Sequence, residues 1–106
     1  MDTLIDFVIP PSHIHFAAKK LFDSCGQIVD GSIAYIEPCG GGPVELHTHG
    51  HSHLFIVVEG QIKIHLGDTF KIVNINESFL VNGDIPHSVW NNSDTRSIVV
   101  GISVIK

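Results

Sequence analysis

The sequence predicts an all-β fold, either a closed barrel or a two-sheet sandwich, and three observations carry that expectation. From Gly31 onward the chain breaks into short β-favouring runs separated by Gly, Pro, Asn and Asp turn signals at intervals of about 8–12 residues. One of those runs, Gln61–Leu66, alternates cleanly, with Ile62, Ile64 and Leu66 on one face and Gln61, Lys63 and His65 on the other. The 106 residues, 43% of them apolar, suit one domain able to bury roughly 65% of its unfolded surface without disulfide staples. No repeat of 20–50 residues and no low-complexity tract points to a solenoid instead.

The first thirty residues are read as an N-terminal extension and residues 31–106 as the barrel domain. Pro10-Pro11 interrupts regular structure, and Ser12 can cap a helix beginning just after it. From Ile14 the spacing Ile14, Ala17, Ala18, Leu21, Phe22 suits a short helix closed by Gly26, but an extended segment fits nearly as well. Either way the extension is a candidate to pack on a dimer partner. His13 and His15 share a face in a strand but have no further ligand nearby in sequence, so they read as surface histidines.

Ser32–Glu37 alternates in part and stops at Pro38, which lacks a donor. Cys39–Pro43, with three glycines, reads as a flexible loop. Val44–His49 is the next strand, and Gly50 permits a turn or bulge. Leu54–Glu59 is a continuous apolar run that suits a strand buried on both sides. After Gln61–Leu66, Gly67-Asp68 marks a hairpin into Thr69–Ile75. Glu77–Asn82, His87–Trp90 and Ser97–Ile105 complete the set, separated by Asn-Gly-Asp and Asn-Asn-Ser-Asp turns.

Charge and composition narrow the partners. The net charge is −5 with histidine neutral, and the six basic residues are scattered, which argues against a nucleic-acid backbone. No uncharged apolar run reaches 18 residues, so no transmembrane helix is expected. The start MDTLIDFVIPP has two acids and no basic region, unlike a signal peptide, and a cytoplasmic location is expected. Cys25 and Cys39 form no CxxC pair and read as free thiols in a reducing compartment, Cys39 lying near the histidines in sequence.

The chemistry concentrates in PVELHTHGHSHLFIVVEG, residues 43–60, where His47, His49, His51 and His53 occupy every second position. Half of the eight histidines fall within seven residues. Imidazole is the commonest protein ligand for transition metals, and alternate residues of a strand share a face. A further histidine, His87, comes after a Gly-Asp turn and Pro86, so it begins a strand that β-structure can lay beside the cluster.

Two segments resemble the paired motifs of the cupin superfamily. Gly41-x5-His47-x-His49-x3-His53-x6-Gly60 is similar to the first motif, and Gly83-Asp84-Ile85-Pro86-His87-Ser88-Val89-Trp90-Asn91 to the second, with asparagine four residues after the histidine. The resemblance covers roughly Ile33 to Ile105 and implies a small jelly-roll barrel, a double-stranded β-helix, holding one divalent transition metal per chain. Carried over by position, His47, His49 and His87 are ligands. His53 stands where the family usually has glutamate, and is favoured over His51 as the fourth ligand by spacing. Asn82 and Asp84 stand where the second motif usually has proline and glycine. Four neutral histidines leave the ion at +2 rather than +1, making it a stronger Lewis acid. Zn, Ni, Fe or Mn all suit such a site.

The resemblance and the histidine set together imply a metal-dependent enzyme on a small organic molecule, of dioxygenase, isomerase or lyase type. Phe55, Phe79 and Trp90 are candidates to line its pocket, with Tyr35 and Cys39 as polar contacts. The alternative is a non-catalytic ligand-binding or sensory module. No Ser-His-Asp pattern, phosphate loop or paired carboxylates compete. An apolar Ile98–Ile105 tail and open strand edges lead to an expected homodimer.

Overall fold

The computed structural model describes residues 5–47 and 50–105, with the backbone alone for residues 46 and 47. Eight strands succeed one another: β1 (Ile14–Phe22), β2 (Ile28–His47), β3 (Ser52–Glu59), β4 (Gln61–Leu66), β5 (Thr69–Asn74), β6 (Ser78–Val81), β7 (His87–Asn91) and β8 (Ser97–Val104). They form one antiparallel sheet in the order β5-β4-β7-β2-β8-β3-β6, with β1 added to β2. Its ends, β5 and β6, come together, so the sheet rolls into a nearly closed barrel.

Alternation explains the inside of that barrel. Ile62 and Ile64 of β4 are fully buried while Gln61, Lys63 and His65 stay partly exposed. Ala34 and Ile36 of β2, Phe55 and Val57 of β3, Val73, Val81, Val89 and Val99 complete the core. Burying each such side chain contributes about 1.5–3 kcal/mol.

Several sequence expectations change. Of the two alternatives for Ile14–Phe22 the strand is formed, since β1 can pair with β2 from Ile14↔Gly41 to Phe22↔Gly31 and gain a full ladder. Cys39–Pro43 is not a loop but lies inside the 20-residue β2, which bends there by changing partners. Its first part pairs with β8 and its last part with β7. Leu54–Glu59 is not buried on both sides: Phe55 and Val57 point in, whereas Val58 is 47% exposed. The Ile98–Ile105 segment is no edge, because β8 is hydrogen-bonded to β2 on one side and β3 on the other.

Residues before β1 fold back on the same chain. Val8 exchanges two 2.8 Å backbone hydrogen bonds with Ala18, the Val44 amide donates to the Ser12 carbonyl at 2.8 Å, and Phe7 packs on Tyr35 with ring centroids 5.0 Å apart.

Candidate functional site

Register aligns the inner face of three neighbouring strands into rows. Asp30 of β2 is opposite Ser103 of β8, which is opposite His53 of β3. The next row is Ser32, Gly101 and Phe55, and the one after it Ala34, Val99 and Val57. The inner wall therefore grades from polar to apolar along the barrel. The polar rows open onto a cavity of about 230 Å³, lined also by Phe16, Ala18, Val89, His13 and His87.

His87 enters from the opposite wall. An Asx turn starts its approach, with the Asp84 amide on Asn82 Oδ1 at 2.9 Å and the Ile85 amide on the Asn82 carbonyl at 3.0 Å. The Gly67 amide holds the Pro86 carbonyl at 2.9 Å, and β7 begins at His87, 3% exposed. His87 Nδ1 lies 2.8 Å from the Ile85 carbonyl. A carbonyl only accepts, so Nδ1 carries the proton and Nε2 the lone pair. That is the arrangement in which histidine ligates a metal, its other nitrogen held by a carbonyl.

His53 and His87 come together. Their rings meet edge to face at 5.5 Å, and Phe55 completes a triangle at 5.7 Å from His53 and 6.4 Å from His87. His53 Nε2 is buried. His51 stacks on His53 with centroids 4.9 Å apart and ring planes 12° apart, but it is half-exposed and does not line the cavity. The backbone of His47 is in register with His87 across β2 and β7. The His47 side chain and all of His49 lie outside the described residues. Among the described residues no group of three His, Cys, Asp or Glu side chains is placed to hold a metal ion. The donor set nevertheless fits an imidazole-binding metal: two cavity histidines in ring contact, one with its tautomer fixed for ligation.

Other candidates fall elsewhere. Phe55 lines the cavity, whereas Phe79, Trp90, Tyr35 and Cys39 do not. Phe79 packs against the core, the Trp90 indole donates to Ser88 Oγ at 2.8 Å, and both cysteines are exposed free thiols. His15 is exposed, but His13 is not the surface residue its sequence context suggests. It lines the cavity, with Nδ1 2.8 Å from the Pro11 carbonyl and its ring 4.5 Å from Phe16. Asp30, Ser32 and Ser103 carry no motif. Their one sequence signal is the alternation Ile28, Asp30, Ser32, Ala34, Ile36, visible only if the strand begins before Ser32.

The other motif residues have structural work. Gly60 has φ +81°, and a Cβ there would overlap the Ser97 hydroxyl. Gly41 has φ +152°, and a Cβ would overlap the Val89 carbonyl and the Trp90 ring. Asn91 Nδ2 donates to the carbonyls of Ile36 and Thr95, both at 2.8 Å. Its Oδ1 lies 2.8 Å from the Ser93 amide and 2.8 Å from the fully buried Ser97 hydroxyl.

Comparison with known proteins agrees with this fold. The polyketide cyclase RemF from Streptomyces resistomycificus superposes with a TM-score of 0.75 at 19% identity, over 93% of this chain and 71% of that one. The cupin domain of an XRE family transcriptional regulator from Enterobacter cloacae gives 0.75 at 16%, over 88% and 99%. A predicted oxalate decarboxylase from Thermotoga maritima gives 0.75 at 14%, over 92% and 94%. Other similar structures come from longer chains, of which this one spans 63–67%. At these identities the likeness shows the fold alone. No curated protein matches the sequence. The Cupin_2 family, a cupin domain, matches residues 32–105. Covering both histidine motifs and every strand from β3 onward, that match makes the chain a member of the cupin superfamily.

Proposed function

We propose that the chain is a metal-dependent enzyme acting on a small organic molecule, with His47, His49, His53 and His87 holding one divalent ion at the polar end of the cavity. The observation that carries this is the edge-to-face contact of His53 and His87 at 5.5 Å inside a cavity, with His87 Nδ1 tied to the Ile85 carbonyl. His47 enters through the motif spacing, its backbone standing in register with His87. His49 enters through the motif spacing.

When bound, Zn, Ni, Fe or Mn would supply Lewis-acid polarisation of an oxygen-bearing ligand or, for a redox metal, a centre for oxygen chemistry of the dioxygenase kind. The chain's own residues do the remaining work. The Ile85 carbonyl holds the His87 tautomer, and Phe55 sets an apolar ring against both His53 and His87. Ala34, Val89 and Val99 offer an apolar wall on which a small molecule can lie. Enzymatic use is supported by the similar structures of a polyketide cyclase and a predicted oxalate decarboxylase.

Elemental analysis of freshly purified protein beside His87→Ala tests the site. About one ion per chain in the wild type and much less in the variant is expected; a wild type that cannot be loaded overturns it. Oxygen uptake after Fe(II) loading then separates oxygen chemistry from isomerase or lyase chemistry. A second reading, a non-catalytic sensory module, is favoured by the similarity to the transcriptional regulator's cupin domain, nearly all of which this chain matches. Saturable ligand binding with no turnover would select it.

We also infer a homodimer. The outward side chains of β8, Ile98, Val100, Ile102 and Val104, are only half-buried, and Leu80 and Val58 beyond them are more than 45% exposed. Apolar sheet faces of this kind are covered by a second copy in isologous dimers. A cytoplasmic location is supported by the two exposed thiols, which persist reduced in such a compartment. No helix is long and apolar enough to cross a membrane among the described residues.

A further inference from the structure

We propose that Asp30, flanked by Ser32 and Ser103, is the specificity-determining anchor of the cavity, receiving a hydroxyl at the far end of a small acid whose carboxylate lies at the histidines. This rests on the cavity being the ligand site proposed above.

Asp30 is half-buried and faces the cavity. Among the described residues no ion pair is formed by Asp30: Lys20 of β1, in register with Ser32, lies 3.2 Å from Asp23, and Arg96 pairs with Glu37. A carboxylate lining a cavity accepts hydrogen bonds, and a ligand can supply the donor. Ser103, 8% exposed, and Ser32 flank it on the same wall. Serine hydroxyls both donate and accept, which matches an alcohol or phenol.

The spacing sets the size of the ligand. Asp30 and His53 lie in one row with Ser103 between them, two strand spacings or roughly 10 Å apart along the sheet. Both side chains reach inward and shorten that gap. In the next row Gly101 has no side chain, which leaves an apolar floor between Ser32 and Phe55. The volume of about 230 Å³ lies below the usual range for drug-sized ligands. A single ring with polar groups at opposite ends fits. The anionic end belongs at the histidines, because an ion held by four neutral imidazoles keeps its full charge.

The experiment is calorimetric binding of 4-hydroxybenzoate and benzoate to zinc-loaded protein, in wild type, Asp30→Ala and Asp30→Asn. A hydrogen bond to a charged group predicts that wild type prefers 4-hydroxybenzoate by about tenfold or more. Asp30→Ala should bring the two probes within about twofold of each other. Asp30→Asn, nearly isosteric and so safe for folding, should lose part of the preference. A preference that survives in Asp30→Ala, or no preference in wild type that binds benzoate, overturns the anchor alone. If zinc-loaded wild type binds neither probe, the anchor and the cavity reading fall together.

Discussion

At the Asn91 end of the barrel, polar groups are satisfied by one another; at the His87 end they face a cavity. Asn91 spans Ile36, Thr95, Ser93 and Ser97 with hydrogen bonds of 2.8 Å, and the amide of Gln61 donates to Ser97 at 3.2 Å. Nothing in that network is left for a ligand. Further along the same two strands from Ser97 and its register partner Ile36, Asp30 and Ser103 sit beside His53 and line open space. Both ends use residues of the same two motifs, so a cupin motif is two devices: glycine and asparagine close one pole while histidines equip the other. Polar groups that satisfy each other stabilise a fold, and polar groups that face a cavity are available for chemistry.

The comparison breaks most visibly at Gly60. Gly60→Val places a β-branched residue at φ +81° and drives its Cβ into Ser97. A loss of about 3 kcal/mol or more in urea unfolding is expected, with metal binding lost only because the fold is. Asn91→Ala is the next step down. It removes at once the hydrogen bonds to the Ile36 and Thr95 carbonyls and from the Ser93 amide and the Ser97 hydroxyl, although Thr95 keeps Ser93 Oγ and Ser97 keeps Gln61. The loss costs about 2–4 kcal/mol by the same measurement. If either variant kept wild-type stability, the closed pole would not be the brace described.

His87→Ala should show the reverse pattern. Metal content falls from about one ion per chain to a small fraction. Stability of the metal-free protein drops by about 1–3 kcal/mol at most, from the lost ring and its bond to Ile85. Elemental analysis beside a thermal melt of the metal-free form separates the two effects. A stability loss as large as that of Asn91→Ala, with metal retained, would make His87 part of the scaffold.

How much of this the sequence disclosed obeys the same division. The alternation of Gln61–Leu66 is legible because period two maps directly onto a half-buried strand, and Ile62 and Ile64 are fully buried. His53 and His87 are legible because clustered imidazoles and a strand-opening histidine are rare by chance. The length of β2 was hidden: glycines and proline at 40–43 signal a loop locally, while pairing with β1 and β7 holds them extended. Hiding that strand also hid Asp30, whose inward direction depends on the register of β2 with β8. His13 escaped for a different reason. It reaches the cavity only because the chain before β1 folds back, through Ser12 onto Val44, and no local pattern encodes that.

The finest contrast lies between His53 and its neighbour His51, two stacked rings of which one lines the cavity. His53→Glu would restore the ligand that cupins usually carry there. Its carboxylate takes a half-buried place beside Phe55 and opposite Ser103, and desolvation of that charge should lower the melting temperature of the metal-free protein. With metal the same charge lowers the ion from +2 to +1 and strengthens binding, on the order of tenfold, so the loaded protein should melt higher than wild type. His51→Ala, by contrast, removes a half-exposed ring and should leave metal stoichiometry unchanged, with a stability change within about 1 kcal/mol. The crossing of the two melting shifts in His53→Glu is the diagnostic, because a merely structural histidine would lower both. If His53→Glu lowers both while His51→Ala abolishes metal binding, the fourth ligand is His51, and the ring lining the cavity is its support.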